Sequence, residues 1–150
     1  MRLVLQRVRE AAVWVAEREV ARIDGGLVVL AGFHANDRAE SLGPMAERVA
    51  RLRIFDDPRG RMSRSLEEAA GELLLVPEIT LACAWSGARP SFDPAATPEH
   101  GRGLFDEFAR QLGLRRLRVA TGVFRAHMQV RLVNDGPVTF VIESESPPIR

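Results

Sequence analysis

Ala126-His127-Met128-Gln129-Val130-Arg131-Leu132-Val133-Asn134-Asp135-Gly136-Pro137-Val138-Thr139 decides how this chain is read. Its first part alternates apolar and polar residues, the period of a half-buried strand. Asn134-Asp135-Gly136-Pro137 gathers four turn formers. Val138-Thr139-Phe140-Val141-Ile142 then resumes as a strand. The pattern predicts a hairpin with proline at its tip. X-Pro is the one peptide bond where the cis form costs little. A cis Gly136-Pro137 bond would point two backbone carbonyls the same way, as bare acceptors suited to reading the handedness of a small ligand. The competing reading is a plain turn, because these four residue types dominate turns generally.

The rest of the chain sets bounds around that hairpin. Its 150 residues suit one domain with a core of its own. A hydrophobic content of 46% with 27% charged residues is that of an ordinary soluble domain. The net charge of +1 gives no global pull toward nucleic acid. Every basic residue other than histidine is arginine, so the absence of lysine cannot single out a site. Cys83 is the single cysteine; no intrachain disulfide can form, which suits a reducing cytoplasm. Its apolar neighbours Leu81, Ala82 and Ala84 suggest a buried, inert thiol. Arg7, Arg9 and Glu10 interrupt any leader-like apolar core, and no run reaches membrane-spanning length.

Leu3–Val8 reads as a strand, and Ala12–Ala16 with Glu19–Ile23 as a hairpin anchored by Trp14. Asp24-Gly25-Gly26 reads as a turn. Leu27–Gly32 is continuously apolar, as a strand buried on both faces would be. Asp37 is placed to cap a helix whose apolar face is Leu42, Met45, Ala46, Val49 and Leu52, with Pro44 tolerable near its start. Short strands follow at Ile54-Phe55, Glu72–Val76 and Thr80–Ala84, and Ser86–Pro98 reads as a loop. Thr97-Pro98 has the form of a helix start, followed by Leu104, Phe105, Phe108 and Leu112 on one face. Arg116–Ala120 is a further strand. The expected class is α+β: a mostly antiparallel sheet with a barrel-like core and two main helices packed on it. The expected organisation is a single domain over 1–150, with 143–150 a flexible tail.

Five segments together resemble the D-aminoacyl-tRNA deacylase family, of the D-Tyr-tRNA deacylase type. They are Met1–Val8, Leu52–Asp57 with Gly60-Arg61-Met62, Arg89-Pro90-Ser91-Phe92, Gly122–Met128, and the stretch quoted above. They occur in the family's order and spacing over nearly the whole chain. The resemblance implies hydrolysis of the ester joining a D-amino acid, or glycine mischarged on tRNA, to the terminal ribose. It implies a cytoplasmic homodimer acting on the aminoacylated 3′ end of tRNA in translation quality control, without cofactor, metal or membrane. In the family, a Gly-cis-Pro pair of one subunit enters the other's pocket and excludes L-amino acids; Gly136 and Pro137 match it. Arg7 matches the arginine that orients this motif. Phe124 and Met128 match substrate-pocket positions facing the terminal adenosine, although core packing explains both as well.

Thr80 matches the catalytic position. Two roles stay open for it: nucleophile, or a pocket-shaping hydroxyl where the tRNA's own 2′-hydroxyl and backbone groups carry the chemistry. An aminoacyl ester is already activated, so positioning and oxyanion stabilisation can supply much of the rate. Around it, Pro77-Glu78-Ile79 stands where the family reads Ser-Gln-Phe. These three residues are expected to contact substrate. The exchange loses a hydroxyl and a backbone N–H and adds an acid. Two alternatives follow from it: a homologue that binds tRNA ends without efficient hydrolysis, and an esterase of altered specificity.

Other groups have simpler readings. His127 alternates with Met128, so it is expected to face away from a pocket that Met128 lines. His34 and His100 have no ligand-like spacing. Asp56-Asp57 and Glu67-Glu68 read as solvated pairs. Arg115, Arg116 and Arg118 read as a solvated face that phosphate could touch.

Overall fold

In the computed structural model, residues 1–144 are described. Of the tail predicted over 143–150, Glu143 instead ends a strand and the Ser144 N–H donates to the Met1 carbonyl at 3.0 Å, while 145–150 lie outside the described residues. The chain opens on one long strand, β1 (Arg2–Val15), not two shorter ones. It turns through Ala16 and Glu17, both with positive φ, into β2 (Arg18–Ile23). Two consecutive left-handed residues match the twist of a tight hairpin. β3 (Gly26–Gly32) follows and is buried on both faces, as its apolar run requires. Next come α1 (Leu42–Arg51), the small pair β4 (Phe55–Asp56) and β5 (Met62–Arg64), and β6 (Glu72–Pro77). After β6 the chain forms a 3-10 turn, Ile79–Ala82, where a strand over Thr80–Ala84 was expected. The Ser86–Pro98 segment is not wholly loop, because β7 (Ala84–Ser86) and β8 (Arg89–Ser91) pair within it. α2 (Pro98–Gly113) is capped as its sequence predicts, the Thr97 hydroxyl accepting the His100 N–H at 3.3 Å. β9 (Val119–Thr121) and β10 (Gln129–Glu143) complete the described chain.

The predicted hairpin is the largest correction. Residues 129–143 form a single strand that pairs antiparallel along β1, from Trp14↔Gln129 to Arg2↔Glu143. The register jumps between Val8↔Asn134 and Gln6↔Thr139, so Asp135–Val138 bulge out opposite Arg7. The turn residues therefore make a bulge in a continuous ladder, where extra residues leave the pairing and bend the strand.

The main sheet runs β10-β1-β3-β6-β9, with β2 on β1. β1 pairs antiparallel with β10, β2 and β3, whereas β3-β6 and β6-β9 are parallel. β2 comes back against β6 and β9, which curls the sheet toward a barrel. Strand alternation then divides the core. Leu3, Leu5, Leu27, Val29, Leu73 and Leu75 face α1 and α2, meeting Met45, Val49, Phe105, Phe108 and Leu112. Val8, Ala11, Val13, Val28, Leu74 and Val76 fill the opposite, concave side. Trp14, expected as a core anchor, is only half buried, with the Arg131 guanidinium 5.0 Å from its ring centroid.

Asp37 does not cap α1. It is buried and accepts the His34 backbone N–H at 2.7 Å, and the Met1 ammonium pairs with it. The His34 imidazole lies alongside. Burial, and then the nearby ammonium, lower its pKa below the usual 6.5, against the pull of Asp37. A lowered folded value means neutral His34 stabilises the fold above pH 6.5, a contribution lost as pH falls through that lowered value. Proton NMR of the native protein should show the His34 ring titrating below 6.5. A midpoint at or above that value would mean that Asp37, not burial, governs it.

Candidate active site

β3 and β6 are parallel and adjacent, so their carboxyl ends open at one edge of the sheet. A cavity of about 590 Å³ sits beyond that edge, lined among others by Ala31, Phe33, Val76, Pro77 and the first residues of the 3-10 turn. The opposite wall comes from the start of α2 and from residues 124–128. Five of the expected site residues meet here besides Thr80: Pro77, Glu78, Ile79, Phe124 and Met128. Gly136, Pro137 and Arg7 are not among the lining residues.

The 3-10 turn is fixed at both ends of Glu78. Its backbone N–H donates to the Ala31 carbonyl at 2.8 Å, tying the turn to β3. Its carboxylate accepts the Thr80 backbone N–H at 3.3 Å and also the Thr80 hydroxyl. A side-chain acceptor for an early N–H is a capping interaction. That explains why Ile79-Thr80-Leu81, β-branched in part, leaves the strand conformation. It also places an acid against Thr80, which sequence reasoning did not foresee. The Thr80 hydroxyl hydrogen is committed to Glu78, leaving its lone pairs as the polar feature it offers the cavity.

Phe124 packs against Phe105 at 5.9 Å between ring centroids and carries the Arg102 guanidinium 4.9 Å from its own. Gly101 lets the ring approach, since a Cβ there would lie 3.3 Å from Phe124 Cζ. Met128 Sδ accepts the Val123 N–H at 3.4 Å. Residues 124–128 form a turn and an irregular stretch before β10 begins. The alternation argument therefore fails for His127, which lines the cavity together with Met128. Arg102 and His127 are the residues that sequence reasoning missed or turned away. The left-handed backbone of Arg125, φ 63°, belongs to the turn that delays the strand until Gln129, and no residue type in 124–128 announces it.

Arg7 is buried at 8% exposure, although β1 begins as a polar-apolar alternation. Its Nε donates to the Asp135 carbonyl at 3.1 Å and its Nη1 to the Ile54 carbonyl at 2.9 Å. Asp56 Oδ1 lies 3.2 Å from Nη1. Asp56 is thus both half exposed and half of an ion pair, while Asp57 accepts the backbone N–H groups of Arg59 and Arg61. The Asn134 side chain accepts the Val138 N–H at 3.1 Å, bracing the bulge from within. Gly136-Pro137 is cis, Gly136 has φ 133°, and both residues are exposed. A Cβ on Gly136 would stand 2.6 Å from Val138 Cγ2, so only glycine suits this backbone.

The remaining candidates are structural. Arg115 is half buried and bonds Glu47 and the Gly43 carbonyl, joining the two helices. Arg118 pairs with Glu72. Glu68 accepts the Ser65 N–H, and Cys83 is half buried. Among the described residues no three His, Cys, Asp or Glu side chains group as metal ligands. No helix among them is long and apolar enough to cross a membrane.

Known proteins resemble the chain along nearly its whole length. The family described as D-Tyr-tRNA(Tyr) deacylase matches residues 4–143. The D-aminoacyl-tRNA deacylase of Chloroflexus aurantiacus is 50% identical over 145 residues, 96% of this chain and 91% of that protein. That of Teredinibacter turnerae is 46% identical, over 96% of this chain and all of its own length. A solved structure of the c-Myc DNA unwinding element binding protein superposes with TM-score 0.90 at 36% identity, covering 96% of this chain and 99% of that one. A probable eukaryotic D-amino acid tRNA deacylase shares the fold at TM-score 0.82 and 21% identity, over 94% of this chain and 97% of its own. With half of its residues shared along nearly full length, the chain belongs to the D-Tyr-tRNA(Tyr) deacylase family and is a D-aminoacyl-tRNA deacylase, a hydrolase of the aminoacyl-tRNA ester.

Proposed function

We propose that this deacylase selects its substrates by excluding L-amino acids, using Gly136 and Pro137 of one subunit as a wall in the other subunit's cavity. The observation that carries the reading is the position of the bulge. It is exposed, braced by Arg7 and Asn134, and set apart from its own chain's cavity. A rigid pair of backbone carbonyls so placed serves a pocket only if that pocket belongs to a second copy. β10 supports such pairing, since it leaves Val130, Val133, Phe140 and Val141 exposed. A two-fold dimer would supply two equivalent sites. Exclusion by a wall also admits glycine, which has no side chain to exclude, so glycine mischarged on tRNA is a substrate in this reading. The work is cytoplasmic, on the aminoacylated 3′ end of tRNA, and needs no cofactor.

Within the cavity Phe124 and Met128 face the terminal adenosine. Pro77, Glu78 and Ile79 border the aminoacyl group. Thr80 shapes the pocket, and the tRNA 2′-hydroxyl supplies the attacking oxygen's activation. The contact between Thr80 and Glu78 keeps a second reading alive, because a hydroxyl bonded to a carboxylate is also how a nucleophile meets its base. Thr80→Ala separates the two. The shaping role predicts activity within about tenfold of the parent, whereas removing a nucleophile costs roughly a thousandfold or more.

The test of the whole reading is parallel hydrolysis of D-Tyr-tRNA, L-Tyr-tRNA and glycine-charged tRNA, with molar mass measured by light scattering. Loss of the D and glycyl esters with the L ester spared, by a dimer, is expected. Equal hydrolysis of D and L esters, or full selectivity in a monomer, would overturn it.

A further inference from the structure

We infer that a second groove, between the first turns of α2 and the Val123–Ala126 turn, holds the phosphodiester backbone of the RNA strand entering the cavity, with Arg102 and Arg125 as its phosphate ligands. The groove encloses about 540 Å³ and is lined by Pro98, Glu99, Arg102, Gly103, Asp106 and Arg125. Pro98 and Arg125 also line the larger cavity, so the two spaces adjoin. An ester-bearing nucleotide seated in the larger cavity must send its 5′ phosphate, and the nucleotide before it, out through the mouth. This groove is where that path leads. The inference rests on reading the larger cavity as the ester site.

The two arginines are suited to that task by how they are held. Arg102 sits over Phe124, its guanidinium carbon 4.9 Å from the ring centroid, and its donors bond no side chain among the described residues. Arg125 stands on a turn closed by the Ala126 N–H to the Val123 carbonyl at 3.2 Å. Neither makes an ion pair among the described residues, unlike Arg110 or Arg115 on the same helical region. Gly103 leaves the floor open, since nothing lies within 4 Å of where its Cβ would be. Glu99 and Asp106 share the lining and would repel phosphate, which confines the strand to the side of the two arginines. A net charge of only +1 supplies little overall attraction for tRNA, which gives local guanidinium forks at the mouth more weight.

The experiment compares Arg102→Gln, Arg125→Gln and the double variant with the parent, on D-aminoacyl-tRNA and on the same D-aminoacyl ester of adenosine, which lacks the 5′ phosphate. Binding of uncharged tRNA is followed by fluorescence anisotropy against salt. The double variant should raise KM for the tRNA substrate at least tenfold and affect the adenosine ester far less. The logarithmic salt slope for tRNA should flatten by roughly 1 to 2, the loss of two phosphate contacts. Arg102→Lys keeps the charge but not the fork, and should retain the parent salt slope while recovering only part of the affinity lost in Arg102→Gln. Arg48→Gln, the same charge removed from an exposed site on α1, should change neither value. Equal losses on both substrates, or an unchanged salt slope, would overturn the inference. A parent enzyme that cleaves neither ester but whose tRNA binding still depends on both arginines would fault the reading of the larger cavity and leave the groove standing.

Discussion

Replacing Arg7 by methionine is expected to raise hydrolysis of L-aminoacyl esters until the D-to-L preference falls by about two orders of magnitude, the usual consequence of misplacing a site element by an ångström. Methionine conserves most of the buried volume, so the effect comes from the donors. The guanidinium serves the Asp135 carbonyl, the Ile54 carbonyl and the Asp56 carboxylate at 3.1, 2.9 and 3.2 Å. Asp135 begins the bulge, so its carbonyl is the handle by which β1 fixes Gly136 and Pro137. If Gly136 and Pro137 form the wall proposed above, losing that donor lets it give way before an L side chain, while a D ester directed away from it is still cleaved. Stability should fall too, by about 2–4 kcal/mol, because two carbonyls and a half-exposed carboxylate lose their partner. Initial rates on both esters, taken below the melting transition and scaled to folded protein, read selectivity apart from stability. Asp56→Asn, which keeps a neutral acceptor and the Ile54 contact, should shift the ratio in the same direction by less. An unchanged ratio in folded Arg7→Met protein would show that Arg7 only stabilises the bulge and that chirality is read elsewhere.

This dependence also shows what the sequence could and could not reveal. Leu27–Gly32 reads as a fully buried strand because nothing in it wants water, and the structure agrees. The apolar faces of α1 and α2 and the Thr97-Pro98 start are equally local signals. The bulge is different. Alternation followed by Asn-Asp-Gly-Pro fits a hairpin tip and a bulged long strand equally, and only the pairing with β1 decides. That pairing joins residues more than a hundred positions apart. The 3-10 turn was hidden for another reason: the β-branched Ile79 and Thr80 argue for strand, and the Glu78 side chain overrules them by capping the turn. His127 is misplaced by the alternation because that pattern is read from Ala126, whereas the strand begins only at Gln129, after the turn at 124–125. The expected site residues came from a family resemblance. Five of them reach one cavity with Thr80, while the bulge residues and Arg7 lie apart from it, an arrangement that composition and periodicity do not encode.

Gly26→Ala should be the most damaging small substitution in the chain, costing about 4 kcal/mol or more of a typical 5–15 kcal/mol total. The sequence reads Asp24-Gly25-Gly26 as a turn, but Gly26 is the first residue of β3 and lies beside Glu72 in the parallel ladder. A Cβ there would stand 1.9 Å from the Glu72 carbonyl oxygen and 2.6 Å from its nitrogen. Both are backbone atoms, so no rotamer change relieves the clash, and the start of β6 must move. β6 joins the antiparallel half of the sheet to β9, and its far end delivers Pro77 and Glu78 to the cavity. Separating β3 from β6 therefore opens both cores, and the melting temperature should drop by roughly 10 °C or more. Gly113→Ala is the contrast. It ends α2 with nothing within 4 Å of its Cβ position, and alanine there should be neutral or stabilising by up to about 1 kcal/mol. Differential scanning calorimetry on both variants separates close backbone approach from a general cost of replacing glycine. A Gly26→Ala protein melting within 2 °C of the parent, on the scale where each kcal/mol moves Tm by about 2–4 °C, would mean the β3-β6 ladder shifts far more cheaply than its geometry implies.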